Sequence, residues 1–588
     1  MNVKRLVYGS VFVSIIACSA TEPPLPANRE AVDDEISIEE IMVTAQHGES
    51  ERSQADPALA RATGKTEVDS AGVPSVRMYA KRAIAPSAEP QFWLPTVVDR
   101  ENYDSFDDNP VRLVAEDPLS TFSIDVDTAS YSNVRRLLNQ GVLPRQDAVR
   151  TEEMINYFSY AYPLPRDGDA PFRVYTEVGP SPWHADRHLL HVGIKGVELE
   201  RDELPAANLV FLIDVSGSMQ SSDKIDLLKA SLKLLTRELD VDDRISIAVY
   251  AGASGRVLEP TPGDQRGRIH AAIDQLTTGG STNGEAGIRL AYAMAAQAYI
   301  ADGINRVILA TDGDFNVGTT DQSALKDLVE DKCRSGVVLT VLGFGGGNYN
   351  DALMQELAQV GDGNAAYIDT LSEARKVLID QMAGTLTSIA RDVKIQVEFN
   401  PELVSEYRLI GYESRVLARE DFNNDRVDAG DIGAGHTVTA IYELAFSGST
   451  GRLVDDLRYG RETVVPATNA RELAFVKLRY KLPAEQNSRL IQRAVRRDAV
   501  RAALQDTSED YRFSAAVAAF GQVLRGGEYT GEYDLDILAE LANGARGEDR
   551  HGYRGEFAML VRTANVLTTA APDHSKVAGV VQTRGDSR

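Results

Sequence analysis

Between Ala207 and about Thr387, short apolar runs rich in Val, Ile and Leu alternate with stretches of helical periodicity, and few architectures accept that pattern. The runs Leu209–Ile213, Ile245–Tyr250, Val307–Ala310, Val337–Leu342 and Ala365–Ile368 read as strands. The segments between them, Lys224–Leu239, Gln265–Leu276, Glu285–Ile300, Ser323–Cys333 and Asp351–Gln359, carry apolar residues at helical spacing. Strands that are apolar on both faces and separated by helices predict a parallel sheet covered on both sides, because the crossover helices occupy the faces. The fold class expected here is therefore α/β, a Rossmann-like, doubly wound, mostly parallel sheet. Such a sheet binds its ligands beyond the carboxyl ends of its strands, where the strand order reverses.

Acids and hydroxyls gather at that end. Asp214-Val-Ser-Gly-Ser218 follows the first strand directly, and Gly280-Ser-Thr282-Asn and Ala310-Thr-Asp312-Gly follow later. Asp214, Ser216, Ser218, Thr282 and Asp312 form an oxygen-only donor set. Hard divalent cations take such ligands, and Mg²⁺ is commonly held by one or two carboxylates plus waters. Gly217 permits a tight turn between the two serines, and the glycines around Thr282 leave its backbone unhindered. With only two formal negative charges around it, a bound ion stays electron-poor and would accept a carboxylate from another molecule. The expected cofactor is Mg²⁺, with Mn²⁺ and Ca²⁺ as alternatives. The expected partner is a protein that offers Asp or Glu, and the chain is expected to bind, not to catalyse.

On these residues the segment 206–387 resembles a von Willebrand factor type A domain, with all five positions of its metal-ion-dependent adhesion site matched. The flanks resemble a bacterial envelope subfamily. Ser120-Thr-Phe-Ser-Ile-Asp-Val-Asp-Thr-Ala-Ser-Tyr131 is similar to its N-terminal companion domain, here 92–200. Asp425-Arg-Val-Asp-Ala-Gly-Asp-Ile-Gly-Ala-Gly-His436 and Ala545-Arg-Gly-Glu-Asp549 are similar to its C-terminal domain of unknown function, here 390–570. The resemblance implies metal-dependent protein binding and supplies no partner.

At 588 residues the chain is too long for one core, so several domains are expected. A formal charge of −25 argues against nucleic acid, which needs a basic face. Lys4 and Arg5 precede a short apolar run that ends in Ile15-Ile16-Ala17-Cys18. This is the pattern of an export signal, too short to span as a mature helix. It resembles a bacterial lipoprotein signal (1–17), which implies lipidation at Cys18, the only membrane attachment expected. Ser19 stands where an inner-membrane-retained lipoprotein often carries Asp, so an outer-membrane location is expected. Residues 18–91 are rich in Pro, Ala, Glu and Ser and read as a disordered tether, reaching roughly 45 Å on random-coil scaling.

In the flanks, Ser123–Val126, Tyr175–Val178, His188–Val192, Val393–Phe399, His436–Glu443 and Glu472–Tyr480 read as strands. Ser130–Leu138, Arg150–Phe158, Leu490–Leu504, Ser514–Leu524 and Leu535–Ala545 read as helices. These patterns predict a small α+β N-terminal domain and a β-then-α C-terminal domain.

Other motifs fall short of chemistry. Asp125-Val-Asp-Thr-Ala129 lacks the hydroxyl of an aspartyl phosphotransferase, and Asp421-Phe-Asn-Asn-Asp425 lacks the Gly and Glu of a calcium loop. The histidines show no zinc spacing, and Cys333 is expected as a buried small hydrophobe. Two rival readings remain: a metal-assisted hydrolase using Glu285 or Asp314 as base, and a scaffold in which the metal only stabilises the fold.

Overall fold

The computed structural model describes residues 101–570 except 167–169, 201–202, 252–253, 281–283, 314–321, 348, 382–383, 385–386, 428, 456–470 and 484. Cys18, the tether, Thr282 and Asp314 thus lie outside the described residues.

The described residues begin with strands β1 (Arg112–Leu113) and β2 (Leu119–Ser123), helices α1 (Ala129–Asn139) and α2 (Thr151–Asn156), and strands β3 (Phe172–Pro180) and β4 (His188–Gly196). The α/β segment follows: β5 (Ala207–Asp214), α3 (Leu227–Leu235), β6 (Arg244–Tyr250), β7 (Ser254–Pro262), α4 (Arg266–Asp274), α5 (Gly284–Gln297), β8 (Ile304–Thr311), α6 (Gln322–Cys333), β9 (Val338–Phe344), α7 (Asp351–Val360), β10 (Ala365–Ile368) and α8 (Leu371–Arg375). Its six strands lie in the order β10-β9-β8-β5-β6-β7, parallel except for the edge strand β7. The chain moves from β5 to β6 on one side and later returns to β8 on the other. The carboxyl ends of β5 and β8 therefore flank the switch point.

Alternation along the strands divides the core. Val210 and Leu212 of β5 face α5 and α7, whereas Leu209, Phe211 and Ile213 face α3 and α4. Both sets are buried, which is why these strands read as continuous apolar runs.

After the α/β segment come β11 (Ser388–Phe399), β12 (Val404–Ile410), β13 (Ile432–Gly433), β14 (Thr437–Phe446), β15 (Glu472–Lys481) and β16 (Arg489–Arg496). Helices α9 (Glu509–Leu524), α10 (Leu535–Gly544) and α11 (Tyr553–Ala570) end the described chain. One sheet has the order β1-β12-β14-β4-β3; the other runs β13-β11-β15-β16, with β2 also paired to β11. Strands from before and after the α/β segment thus pair within the same sheets, as in the eight-position pairing of Thr437–Leu444 with Lys195–His188. The apolar faces of the two sheets meet in one core around Phe122, Val192, Ile395, Tyr442 and Leu478. On the outer face of the β4–β14 sheet, α1 and α2 share a second core with α9, α10 and α11. The segments 92–200 and 390–570, separate in the sequence reading, form shared sheets here. The α/β segment is an insertion between β4 and β11.

Three other expectations change. In place of the helix expected at Leu490–Leu504, Arg489–Arg496 is an edge strand along β15. Its Arg, Gln, Ala and Leu favour helices, yet eight paired positions decide the conformation. The strand expected at Ser123–Val126 lies earlier, at Leu119–Ser123, because β2 ends where Asp125 and Asp127 turn toward Arg415. Cys333 is half-buried and donates to Asp362 Oδ2 at 3.2 Å, so it is not a core hydrophobe.

Buried ion pairs fasten the insertion to the flanking body. Arg135 of α1 reaches Asp369, Glu373 at 2.7 Å and Glu556 at 3.0 Å, while Arg150 meets Asp351 at 2.6 Å. Asp127 accepts from the backbone N–H of Ala365 at 3.0 Å, which ties the start of β10 to the flank.

Candidate metal site

Asp214 is the last residue of β5 and Asp312 the first after β8, so the two fully buried carboxylates stand side by side at the switch point. Hydrogen bonds fix Asp214. Its Oδ1 accepts from the Ser216 amide at 2.8 Å, and its Oδ2 accepts from the Tyr250 hydroxyl at 3.2 Å and the Thr311 hydroxyl at 3.3 Å. Burial, together with the nearby Asp312 charge, raises the Asp214 pKa to about 6 against the lowering effect of the Ser216 bonds.

The turn after β5 brings the Ser216 and Ser218 hydroxyls within 2.8 Å of each other. Gly279 donates to the Val215 carbonyl at 2.7 Å and Gly217 to the Gly280 carbonyl at 3.3 Å, clipping the loop that leads to Thr282 against the serine turn. Gly280 has φ +99°, a conformation that favours glycine. Of the five expected donors, four are described. The structure brings the two serines together and sets the two acids on adjacent strand ends.

These groups fit a hard divalent cation. The donors are oxygens only, and two of them belong to fully buried carboxylates. Among the described residues no three His, Cys, Asp or Glu side chains are grouped so that they could hold a metal ion. An ion held by these two acids would take its remaining ligands from hydroxyls and water.

Three participants escaped the sequence reading. Tyr250 and Thr311 orient Asp214, and Lys224 donates to Asp312 Oδ2 at 2.8 Å and to the Ser218 carbonyl at 3.1 Å. Tyr250 and Thr311 end apolar strands and carried no signal beyond that position. Lys224 begins a helical pattern, where a lysine normally faces solvent.

Motifs set aside in the sequence are engaged by protein groups. Lys394 donates to the Asp421 and Asn424 carbonyls at 3.2 and 2.6 Å, and Arg479 and Ser488 hold Asp425, so this turn is filled from within. Arg415 bridges Asp125 and Asp127 at 3.1 and 3.5 Å. Glu285 pairs with Arg289 one helical turn away at 3.0 Å.

Segments of the chain match known protein families. Residues 209–314 match the von Willebrand factor type A domain family, 97–191 match a family described as von Willebrand factor, and 384–567 match the C-terminal region of the uncharacterised protein YfbK. The chain is 48% identical over 473 residues to YfbK of Escherichia coli (strain K12), covering 79% of this chain and 81% of that protein. An uncharacterised protein of Synechocystis is 27% identical over 185 residues, covering 32% of this chain and 43% of its own length. Among solved structures, a von Willebrand factor type A protein from Catenulispora acidiphila aligns at 15% identity with a TM-score of 0.36, covering 66% of this chain and 89% of that one.

Proposed function

Since the chain belongs to the von Willebrand factor type A proteins, in the group that includes YfbK, a class that generally mediates protein–protein interaction, we propose that it binds a protein partner through a divalent cation at Asp214, Ser216, Ser218, Thr282 and Asp312. The observation that carries this reading is the pair of buried carboxylates on the two strand ends flanking the switch point, beside two converging hydroxyls. Bound there, Mg²⁺ would supply an electron-poor position for an Asp or Glu carboxylate of the partner. The protein's own groups do the positioning. Tyr250, Thr311 and the Ser216 amide hold Asp214 in one orientation before any ligand arrives, so little reorganisation is needed on binding. Gly279 and Gly280, held against the serine turn, would form part of the rim that reads the partner's shape.

In this reading the chain is a binder and not an enzyme. Glu285, one of two local candidates for a base, is held by Arg289. The leader-like start and Cys18 support an exported, lipid-anchored protein of the outer membrane, with residues 18–91 as its tether.

The test is capture from envelope extracts with the mature chain, in Mg²⁺ and in chelator, beside a folded Asp312→Ala variant. The reading requires a protein retained by wild type in Mg²⁺ and lost in both other conditions. Identical captures in all three would reject it. A lowered melting temperature in Asp312→Ala with unchanged capture would favour the scaffold reading.

A further inference from the structure

The metal-site reading explains the acids and hydroxyls and leaves one buried cation over. Lys224 is 7% exposed, and its ammonium lies 2.8 Å from Asp312 Oδ2 and 3.1 Å from the Ser218 carbonyl. An ammonium is brought out of water only where fixed partners replace its hydration, and Asp312 and the Ser218 carbonyl, which stand among its partners, belong to the candidate site.

The surroundings are built to hold it. Lys224 sits in a π-helical turn, Ser222–Asp226, ahead of α3; such turns are uncommon and recur at functional sites. Its stem crosses Gly345 at the end of β9. That residue has φ +68°, and a Cβ there would collide with Cγ and Cε of Lys224. The slot thus depends on glycine for both its backbone conformation and its space. The charge is also placed unequally. Asp312 has an ammonium on Oδ2, whereas Asp214 is held by the Ser216 amide and the Tyr250 and Thr311 hydroxyls, all neutral donors.

We propose that Lys224 is a tethered counter-ion that competes with the divalent cation for Asp312 and so holds the site's metal affinity down. This rests on the metal-site reading and adds its regulation. With Lys224 in place, an incoming cation meets one uncompensated carboxylate instead of two and must displace or share the ammonium on the other. The site then fills only where divalent cation is plentiful, and Lys224 leaves Asp312 Oδ2 as it fills.

Titration of the full mature chain with Mn²⁺, with free Mn²⁺ read by electron paramagnetic resonance, tests this in wild type, Lys224→Met and Lys224→Gln. Removing the ammonium should tighten Mn²⁺ binding at least about tenfold, because a unit positive charge beside the ligand carboxylate is lost. Acylation of Lys224 in the wild-type chain, followed by mass spectrometry, gives a readout free of substitution. The Lys224 amine should become more reactive when Mn²⁺ is added. If wild type binds Mn²⁺ while the variants bind equally or more weakly and labelling does not change, the counter-ion role is wrong and the metal site stands. If no form binds Mn²⁺, both fall.

Discussion

Arg135 offers the sharpest test of how the inserted segment is held. Its guanidinium, 1% exposed, reaches Asp369, Glu373, Glu556 and the Tyr157 hydroxyl, joining α1 to the last helical turns of the insertion and to α11. The side chains of Glu373 and Asp369 are 1% and 5% exposed, so Arg135→Met would strand two acids away from water. Removing one partner of a buried ion pair costs about 3–5 kcal/mol. Lys376 lies close to Glu373 and offsets part of this, which favours the lower end. The loss should appear as easier local opening of residues 371–381, read by hydrogen exchange. About 3 kcal/mol corresponds to roughly a hundredfold faster exchange there. Adding Glu373→Gln to Arg135→Met should recover part of the protection, because one stranded charge is gone. A loss under about 1 kcal/mol, or unchanged exchange in 371–381, would refute the view that this network fastens the insertion.

Asp127 predicts a pH effect. Burial pushes its pKa up to about 8, with Asp125 and Glu153 adding repulsion against the pull of Arg415. A carboxyl raised on folding stabilises the protein fully at low pH, below its unfolded pKa of ~3.9, and that contribution is lost as pH rises through the folded value. Wild type should therefore lose stability relative to Asp127→Asn between about pH 4 and 8, at up to about 1.4 kcal/mol per pH unit. Asparagine keeps the acceptor for the Ala365 amide, and parallel urea-denaturation profiles for the two proteins would contradict this. A glycine pair separates strain from contact. Gly345→Ala and Gly347→Ala both place a side chain at positive φ, costing about 1–2 kcal/mol each. Only at Gly345 does the new Cβ meet Lys224, whereas Gly347 has open space. Urea denaturation should show the larger loss at Gly345; equal losses would remove Lys224 from the explanation.

The α/β segment was legible because each of its five parallel strands is buried on both faces and announces itself as an apolar run. The edge strand β7 was missed, since Ser254, Arg256 and Glu259 break such a pattern and only its pairing with β6 makes it a strand. The acids at the switch point were legible because motif and topology agree on Asp214 and Asp312. Lys224, Tyr250 and Thr311 were not, because their roles come from positions reached across strands and turns. The shared sheets of the flanks were hidden for a related reason. Period-two alternation in Thr437–Phe446 or His188–Gly196 shows which face is buried, but not that these strands, more than two hundred residues apart, are neighbours.

The central claim is a divalent cation between the carboxyl ends of β5 and β8. Anomalous diffraction from crystals of the protein grown with Mn²⁺ tests it most directly. A single strong peak contacted by Ser216, Ser218 and the Asp214–Asp312 pair, absent in Asp312→Ala, is the predicted result. No peak at that position, or one that persists in the variant, would contradict the account.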